Sequence, residues 1–136
     1  DKFITFFYGE FDLVGKSFTY VNAGHNLPYL FRADGSIRRL ETGGLLLGML
    51  PDMPYASETI PMQKEDLLLL FTDGVTEAKS ASDEDFEEER LEAVARSVLH
   101  LPLQELLTAL VDAVRIHSTG MPQSDDITMM AVRWLK

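Results

Sequence analysis

Alternation of apolar and polar positions dominates the first half of the chain. Residues 3–12 and Ser17–Ala23 are rich in aromatic and β-branched side chains, which suit a pleated surface. Val14-Gly15-Lys16 between them predicts a hairpin turn. Residues 28–32 and 36–40 flank Ala33-Asp34-Gly35, whose Asp-Gly step predicts a second hairpin. Gly43-Gly44 and Gly48 bracket an apolar stretch read as a flexible loop, followed by Pro51 and Pro54. Residues 58–62 and 66–71 predict two more short strands. The period then changes. Leu91, Val94, Ala95, Val98 and Leu99 recur at helical spacing. Pro102 interrupts that helix, and Leu103, Leu106, Leu107, Leu110, Val111 and Val114 repeat the stripe in a second one. Both stripes read as faces that pack on a core. Gly120 and Pro122 close the helical region, and residues 127–134 return to strand. Hairpins, two helices and a final strand predict an α+β domain with mostly antiparallel sheets.

Composition narrows the function. The 136 residues fit one compact domain or a large piece of one, and 46% are hydrophobic, enough for a core. No apolar run approaches the roughly 18–20 residues that span a bilayer; the longest, Leu67–Phe71, reads as a buried strand. No signal peptide is visible, and the absence of cysteine removes disulfide and thiolate chemistry. A cytoplasmic protein is expected. A formal net charge of -10 repels phosphate backbones, so nucleic acid is not an expected partner. The acidic run Asp83-Glu84-Asp85-Phe86-Glu87-Glu88-Glu89 reads as a solvated loop and a helix start, where carboxylates suit the helix dipole.

Three short segments carry candidate chemistry. In Phe71-Thr72-Asp73-Gly74 an apolar strand ends in a carboxylate followed by glycine, which permits a sharp turn and a close approach to a ligand. Ser124-Asp125-Asp126-Ile127-Thr128 places a carboxylate pair directly before the last strand. Adjacent residues of an extended chain point to opposite faces, so at most one of that pair should share a site with Asp73. Carboxylates at strand ends suit a hard cation such as magnesium or manganese. Asn22-Ala23-Gly24-His25-Asn26 forms a small-residue turn around one imidazole. Two readings stand for it: a ring bonded to neighbouring backbone, or a phosphate contact or proton donor. His100 and His117 have no partner evident from sequence and read as surface or edge residues.

The ordered set Phe3-x-Thr5-x-x-Tyr8, Tyr20-Val21-Asn22-Ala23-Gly24-His25-Asn26-x-Pro28, Asp34-Gly35, Gly48, Phe71-Thr72-Asp73-Gly74-Val75-Thr76-Glu77-Ala78 and Gln123-Ser124-Asp125-Asp126-Ile127-Thr128 resembles the SpoIIE/RsbU-like branch of the metal-dependent type 2C serine/threonine phosphatases. The resemblance runs over nearly the whole chain. It implies an α-β-β-α sandwich, with two stacked antiparallel sheets flanked by helices. It also implies hydrolysis of phosphoserine or phosphothreonine on a protein, with two manganese or magnesium ions and attack by a metal-bound water. Asp73 and Asp125 match metal-binding, catalytic aspartates. Gly74, Asp126, His25 and Asn22 match positions beside the metals or the phosphate. The implied substrate is a phosphorylated anti-anti-sigma factor of the STAS type. Upstream sensor or receiver modules are implied in the full-length protein.

The chain departs from that pattern in one major respect. The family's early Gly-Asp-x-x-Asp motif, which supplies the carboxylate bridging the metals, has no counterpart. Gly9-Glu10-Phe11-Asp12 is a lookalike, but it follows the Phe-x-Thr-x-x-Tyr strand, so Glu10 and Asp12 read as strand residues. Residues 1–136 are therefore read as the C-terminal two thirds of a single domain. The competing reading is a catalytically incompetent fragment or a partner-docking module, and unpaired sheet edges would invite a homodimer. Glu65-Asp66 stands where relatives have Gly-Asp, and Phe86-Glu87 where they have Phe-Gly. Both are read as surface turns of little consequence.

Overall fold

The structure is a computed structural model and describes residues 2–136. It is a mixed α+β protein, and among the described residues eight strands fall into two four-stranded sheets. The chain divides into two compact units, one of residues up to Leu68 together with Arg133–Lys136, the other of Leu69–Val132.

In the first unit, β1 (Phe6–Asp12) and β2 (Ser17–Ala23) pair antiparallel from Phe6↔Ala23 to Asp12↔Ser17. The Asp12 carboxylate closes the predicted turn by accepting the amides of Val14 and Gly15 at 2.9 and 2.8 Å. Asp12 is the last residue of β1, as its place after the Phe-x-Thr-x-x-Tyr segment implied, and its side chain also holds the turn. Phe18, Tyr20 and Asn22 alternate onto the buried face of β2. Phe7 and Phe11 stack on this face, and Phe11 also stacks on Trp134 at 5.9 Å. The other edge of β2 carries two strands: β5 (Gly43–Gly44), parallel to Asn22–Ala23, and β6 (Glu58–Pro61), antiparallel. β3 (Tyr29–Phe31) and β4 (Ile37–Arg39) form the second predicted hairpin. Its turn is held by the Asp34 carboxylate, which accepts from the amide and hydroxyl of Ser36.

Three expectations need correcting in this unit. Gly43-Gly44 is strand rather than flexible loop. A Cβ on Gly43 would lie 1.7 Å from the Asn22 carbonyl oxygen, so only glycine permits this approach. Asp66 is no surface residue: it is completely buried and paired with Arg32. Glu65 has φ +72 and Glu87, in the second unit, has φ +64. Both occupy the left-handed region that favours glycine, so these positions carry backbone strain.

In the second unit, β7 (Leu67–Phe71, from Leu69 onward) is a continuous apolar strand. It leads into the one-turn helix α1 (Asp73–Thr76), which no periodicity announced. α2 (Glu87–Val98) buries Leu91 and Ala95; α3 (Leu103–His117) buries Leu106, Leu110 and Val114, and the two helices pack together. Pro102 caps α3, its carbonyl accepting the Leu106 amide at 2.9 Å. β8 (Met129–Arg133) ends the unit. The acidic run is a loop and the first turn of α2, as expected. Lys79 sits against it, 3.0 Å from Asp85 and 3.7 Å from Asp83, and the Asp85 carboxylate raises the Lys79 pKa. His117 does have partners. Its Nε2 lies 2.9 Å from the Glu84 carbonyl oxygen, and its ring meets Phe86 edge-on at 5.4 Å.

Candidate metal centre

The candidate centre begins with the burial of β7. Leu69 and Phe71 lie in the core, so the strand is anchored up to its last residue. Thr72 is still extended (φ -98, ψ 164), and the backbone coils only at Asp73. The Asp73 carbonyl accepts the Glu77 amide at 2.8 Å, which fixes the turn that presents its carboxylate.

Thr72 joins this strand end to the segment before β8. Its amide donates to the Thr128 carbonyl at 3.1 Å, and its hydroxyl donates to the Asp126 carbonyl at 3.2 Å. The same hydroxyl accepts the Thr128 amide at 3.2 Å. Gly74 completes the junction: a Cβ there would lie 2.2 Å from the Asp126 carbonyl oxygen. Glycine is required for a close approach, as the sequence implied, but the partner is the chain's own backbone rather than a ligand. The backbones bearing Asp73 and Asp125 are therefore in contact through residues 72, 74 and 126.

The two adjacent aspartates have different tasks. The Asp125 Oδ1 accepts the Asp126 amide at 2.7 Å, and the Asp125 carbonyl accepts from Gln123 Nε2 at 2.8 Å. Asp126 contributes its backbone to the junction with Thr72. Sequence reasoning passed over Thr72, whose threonine-before-Asp-Gly position was the available signal.

His25 and Asn22 meet each other in the first unit. The Asn22 Oδ1 accepts the His25 amide at 2.8 Å, and its Nδ2 donates to the carbonyls of His25 and Leu40 at 3.1 and 3.0 Å. Asn22 is buried, and its carboxamide is committed to shaping the turn, in which Gly24 has φ +69. The His25 Nδ1 lies 3.2 Å from the Thr5 hydroxyl, a ring partner that could not be read from sequence.

Hard anionic oxygens on anchored strand ends suit magnesium or manganese in kind. They do not suffice in number. Among the described residues, no group of three or more His, Asp or Glu side chains is arranged to hold a metal ion.

A family model for stage II sporulation protein E (SpoIIE) matches residues 1–135. The chain belongs to the SpoIIE family. It is 32% identical over 130 residues to Protein IcfG of Synechocystis sp., covering 96% of this chain and 20% of IcfG. It is 29% identical over 132 residues to the phosphoserine phosphatase RsbU of Bacillus subtilis, covering 96% of this chain and 39% of RsbU. The chain thus spans well under half the length of these relatives. Among solved structures, the RsbU and RsbW domains of Rv1364c from Mycobacterium tuberculosis align with TM-score 0.71 at 25% identity, over 95% of this chain and 35% of that one. The PP2C phosphatase domain of SpoIIE from Bacillus subtilis aligns with TM-score 0.76 at 19% identity, over 96% of this chain and 37% of that one. A manganese-presoaked form of that phosphatase domain aligns with TM-score 0.67 at 19% identity, over 96% and 56%. These similarities establish the SpoIIE-type phosphatase fold.

Proposed function

We propose that this chain is the C-terminal two thirds of a metal-dependent phosphoserine/phosphothreonine protein phosphatase domain, with Asp73 and Asp125 as two of its metal ligands. The observation that carries this reading is the junction of Thr72 and Gly74 with the backbone at Asp126, which brings two aspartate-bearing strand ends together. Thr72 positions both ligands at once, and Gly74 keeps them close. Asp126 supports Asp125 through its amide. In the first unit, Asn22 holds the His25 turn. A bound manganese or magnesium ion would supply the positive charge that phosphoryl transfer to water requires. The remaining ligands, including a bridging carboxylate for a second ion, are proposed to lie outside this chain.

The proposed substrate is a phosphorylated anti-anti-sigma protein of the STAS type, in a partner-switching pathway governed by a sensor or receiver module elsewhere in the full-length protein. Kinship with RsbU and with a structure pairing RsbU and RsbW domains supports that assignment. A cytoplasmic location accords with it. Among the described residues, no helix is long and apolar enough to cross a membrane. β1 lies at the edge of its sheet and exposes Phe6 and Tyr8, which favours a homodimer along that edge.

The test is hydrolysis of an aryl phosphate and of a phosphoserine protein by the full-length protein, with and without manganese. Turnover that requires manganese and disappears in both Asp73→Asn and Asp125→Asn is the expected result. Full activity in both variants would remove the metal assignment. Binding of the phosphoprotein without cleavage would favour a docking module instead.

A further inference from the structure

A cavity of about 280 Å³ opens in the second unit between the C-terminal end of α3, the loop that follows it and the residues after α1. It shares Gly74 and Asp125 with the candidate metal centre, so it begins where that centre ends. Its walls mix polar and apolar groups, and the apolar part includes Ala78, Val114, Met121 and Ile127. Ala78 and Val114 are buried, whereas Met121 is 40% exposed at the rim. Ser118 also lines the cavity; its Oγ is buried and finds no hydrogen-bond partner among the described residues. An unmatched buried hydroxyl is costly unless something arrives to pair with it. Lys79 and Arg115 also line the cavity, with Lys79 paired to Asp83 and Asp85 and Arg115 to Asp112.

We propose that this cavity is a substrate subsite that receives an apolar side chain, of about leucine size, from the residue next to the phosphoserine. The inference rests on the phosphatase reading above. A phosphoserine directed at Asp73 and Asp125 brings its chain neighbour within about 3.3–3.6 Å per residue of the shared wall. The cavity then buries that neighbour's side chain, and Ser118 Oγ bonds the incoming backbone. No residue of the cavity other than Gly74 and Asp125 belongs to the proposed metal centre. The subsite therefore selects among substrates without taking part in the chemistry.

The experiment uses the full-length protein with manganese. The probes are phosphoserine peptides differing only in Leu, Ala or Asp beside the phosphoserine, together with 4-nitrophenyl phosphate. The unmodified protein should favour the Leu peptide over the Ala peptide by about tenfold in kcat/KM. Ala78→Leu, which fills the cavity, and Met121→Asn, an exposed change for use if the first fails to fold, should both erase that preference. Hydrolysis of 4-nitrophenyl phosphate should be unchanged in both. Equal use of Leu and Ala peptides by the unmodified protein, or a preference that survives in the folded variants, would overturn the proposal. If no probe is hydrolysed, peptide binding by calorimetry separates the two ideas. Tighter binding of the Leu peptide that Met121→Asn abolishes would retain the subsite and remove the phosphatase reading. Equal binding of the Leu and Ala peptides would remove the subsite too.

Discussion

Arg32 Nη1 lies 3.3 Å from the carboxylate of Asp66, a side chain with no exposed surface. The same carboxylate accepts the amide of Ala33 at 3.0 Å and that of Gln63 at 2.7 Å. The Asp66 backbone pairs with Trp134, whose amide donates to the Asp66 carbonyl at 2.8 Å. Asp66 thus ties the end of β3 and the turn before β7 through its carboxylate, and the C-terminal residues of the first unit through its backbone. Removing one member of a buried pair strands the other and costs about 3–5 kcal/mol. Asp66→Ala should lower the urea midpoint accordingly, and Arg32→Met should do so as well. A loss below about 1 kcal/mol in Asp66→Ala would show that water replaces these bonds.

Glu65 and Glu87 offer the opposite opportunity. Each holds a left-handed backbone that costs a non-glycine residue about 1–2 kcal/mol. Glycine relieves that cost and adds about 0.5–1 kcal/mol of unfolded-state entropy in return. Glu65→Gly and Glu87→Gly should each stabilise the protein by up to about 1 kcal/mol, read as a rise in Tm. The Glu65 contact with Arg133, at 4.0 Å and half exposed, is too weak to reverse the sign. An unchanged or lower Tm in both variants would refute the strain argument.

Gly74→Ala should be severe despite its size. Its Cβ would force the Asp126 carbonyl away from 2.2 Å and so spread the segments bearing Asp73 and Asp125. A misplacement of about 1 Å at a reacting site can cost about a hundredfold in rate. Manganese-dependent turnover by the full-length protein should fall by about that factor, with a measurable loss of stability. Turnover within twofold of the parent would mean that the junction does not position the ligands.

The Tyr20–Glu58 pair predicts a pH dependence. The Tyr20 hydroxyl donates to Glu58 Oε2 at 2.7 Å, and the Thr42 hydroxyl donates to the same oxygen at 2.9 Å. The Tyr20 hydrogen bond is the largest influence lowering the Glu58 pKa from 4.5, and burial is the largest influence raising that of Tyr20 from 10.0. For Glu58 the stabilisation is complete above the unfolded value. It disappears as the pH falls through the lower folded value. For Tyr20 the sign reverses: stability is complete below 10.0 and is lost as the pH rises through the higher folded value. Tyr20→Phe should flatten both limbs of the stability–pH curve, measured by urea unfolding between pH 3 and pH 11. These pH limits are about one unit or more outside the two reference values. Identical curves for parent and variant would remove the coupling.

The local readings succeed where the signal is local. The alternation of Phe18, Tyr20 and Asn22 marks the buried face of β2, and the spacing of Leu106, Leu110 and Val114 marks the buried stripe of α3. Both follow from geometry that any strand or helix imposes on its own side chains. Asp34 was likewise legible as a turn residue, because it bonds an amide two positions away, whereas the turn-holding bonds of Asp12 were not read from its place in a strand. The meeting of the segments that bear Asp73 and Asp125 was legible only through the resemblance, since spacing alone does not say which strand ends meet.

The sequence by itself determined the α+β order, the hairpins, the helical stripes and the places of the candidate aspartates along the chain. Tertiary structure alone decided what those segments touch. It set Thr72 against Asp126, 54 residues away, and gave Gly74 a backbone neighbour. It also drew Gly43-Gly44 into the sheet and buried Asp66 beside Arg32. The physical reason is range. Periodicity and turn chemistry act over a few residues of one segment, whereas close backbone approach, burial of a charge and hydrogen bonds between strand ends exist only once distant segments share the same space.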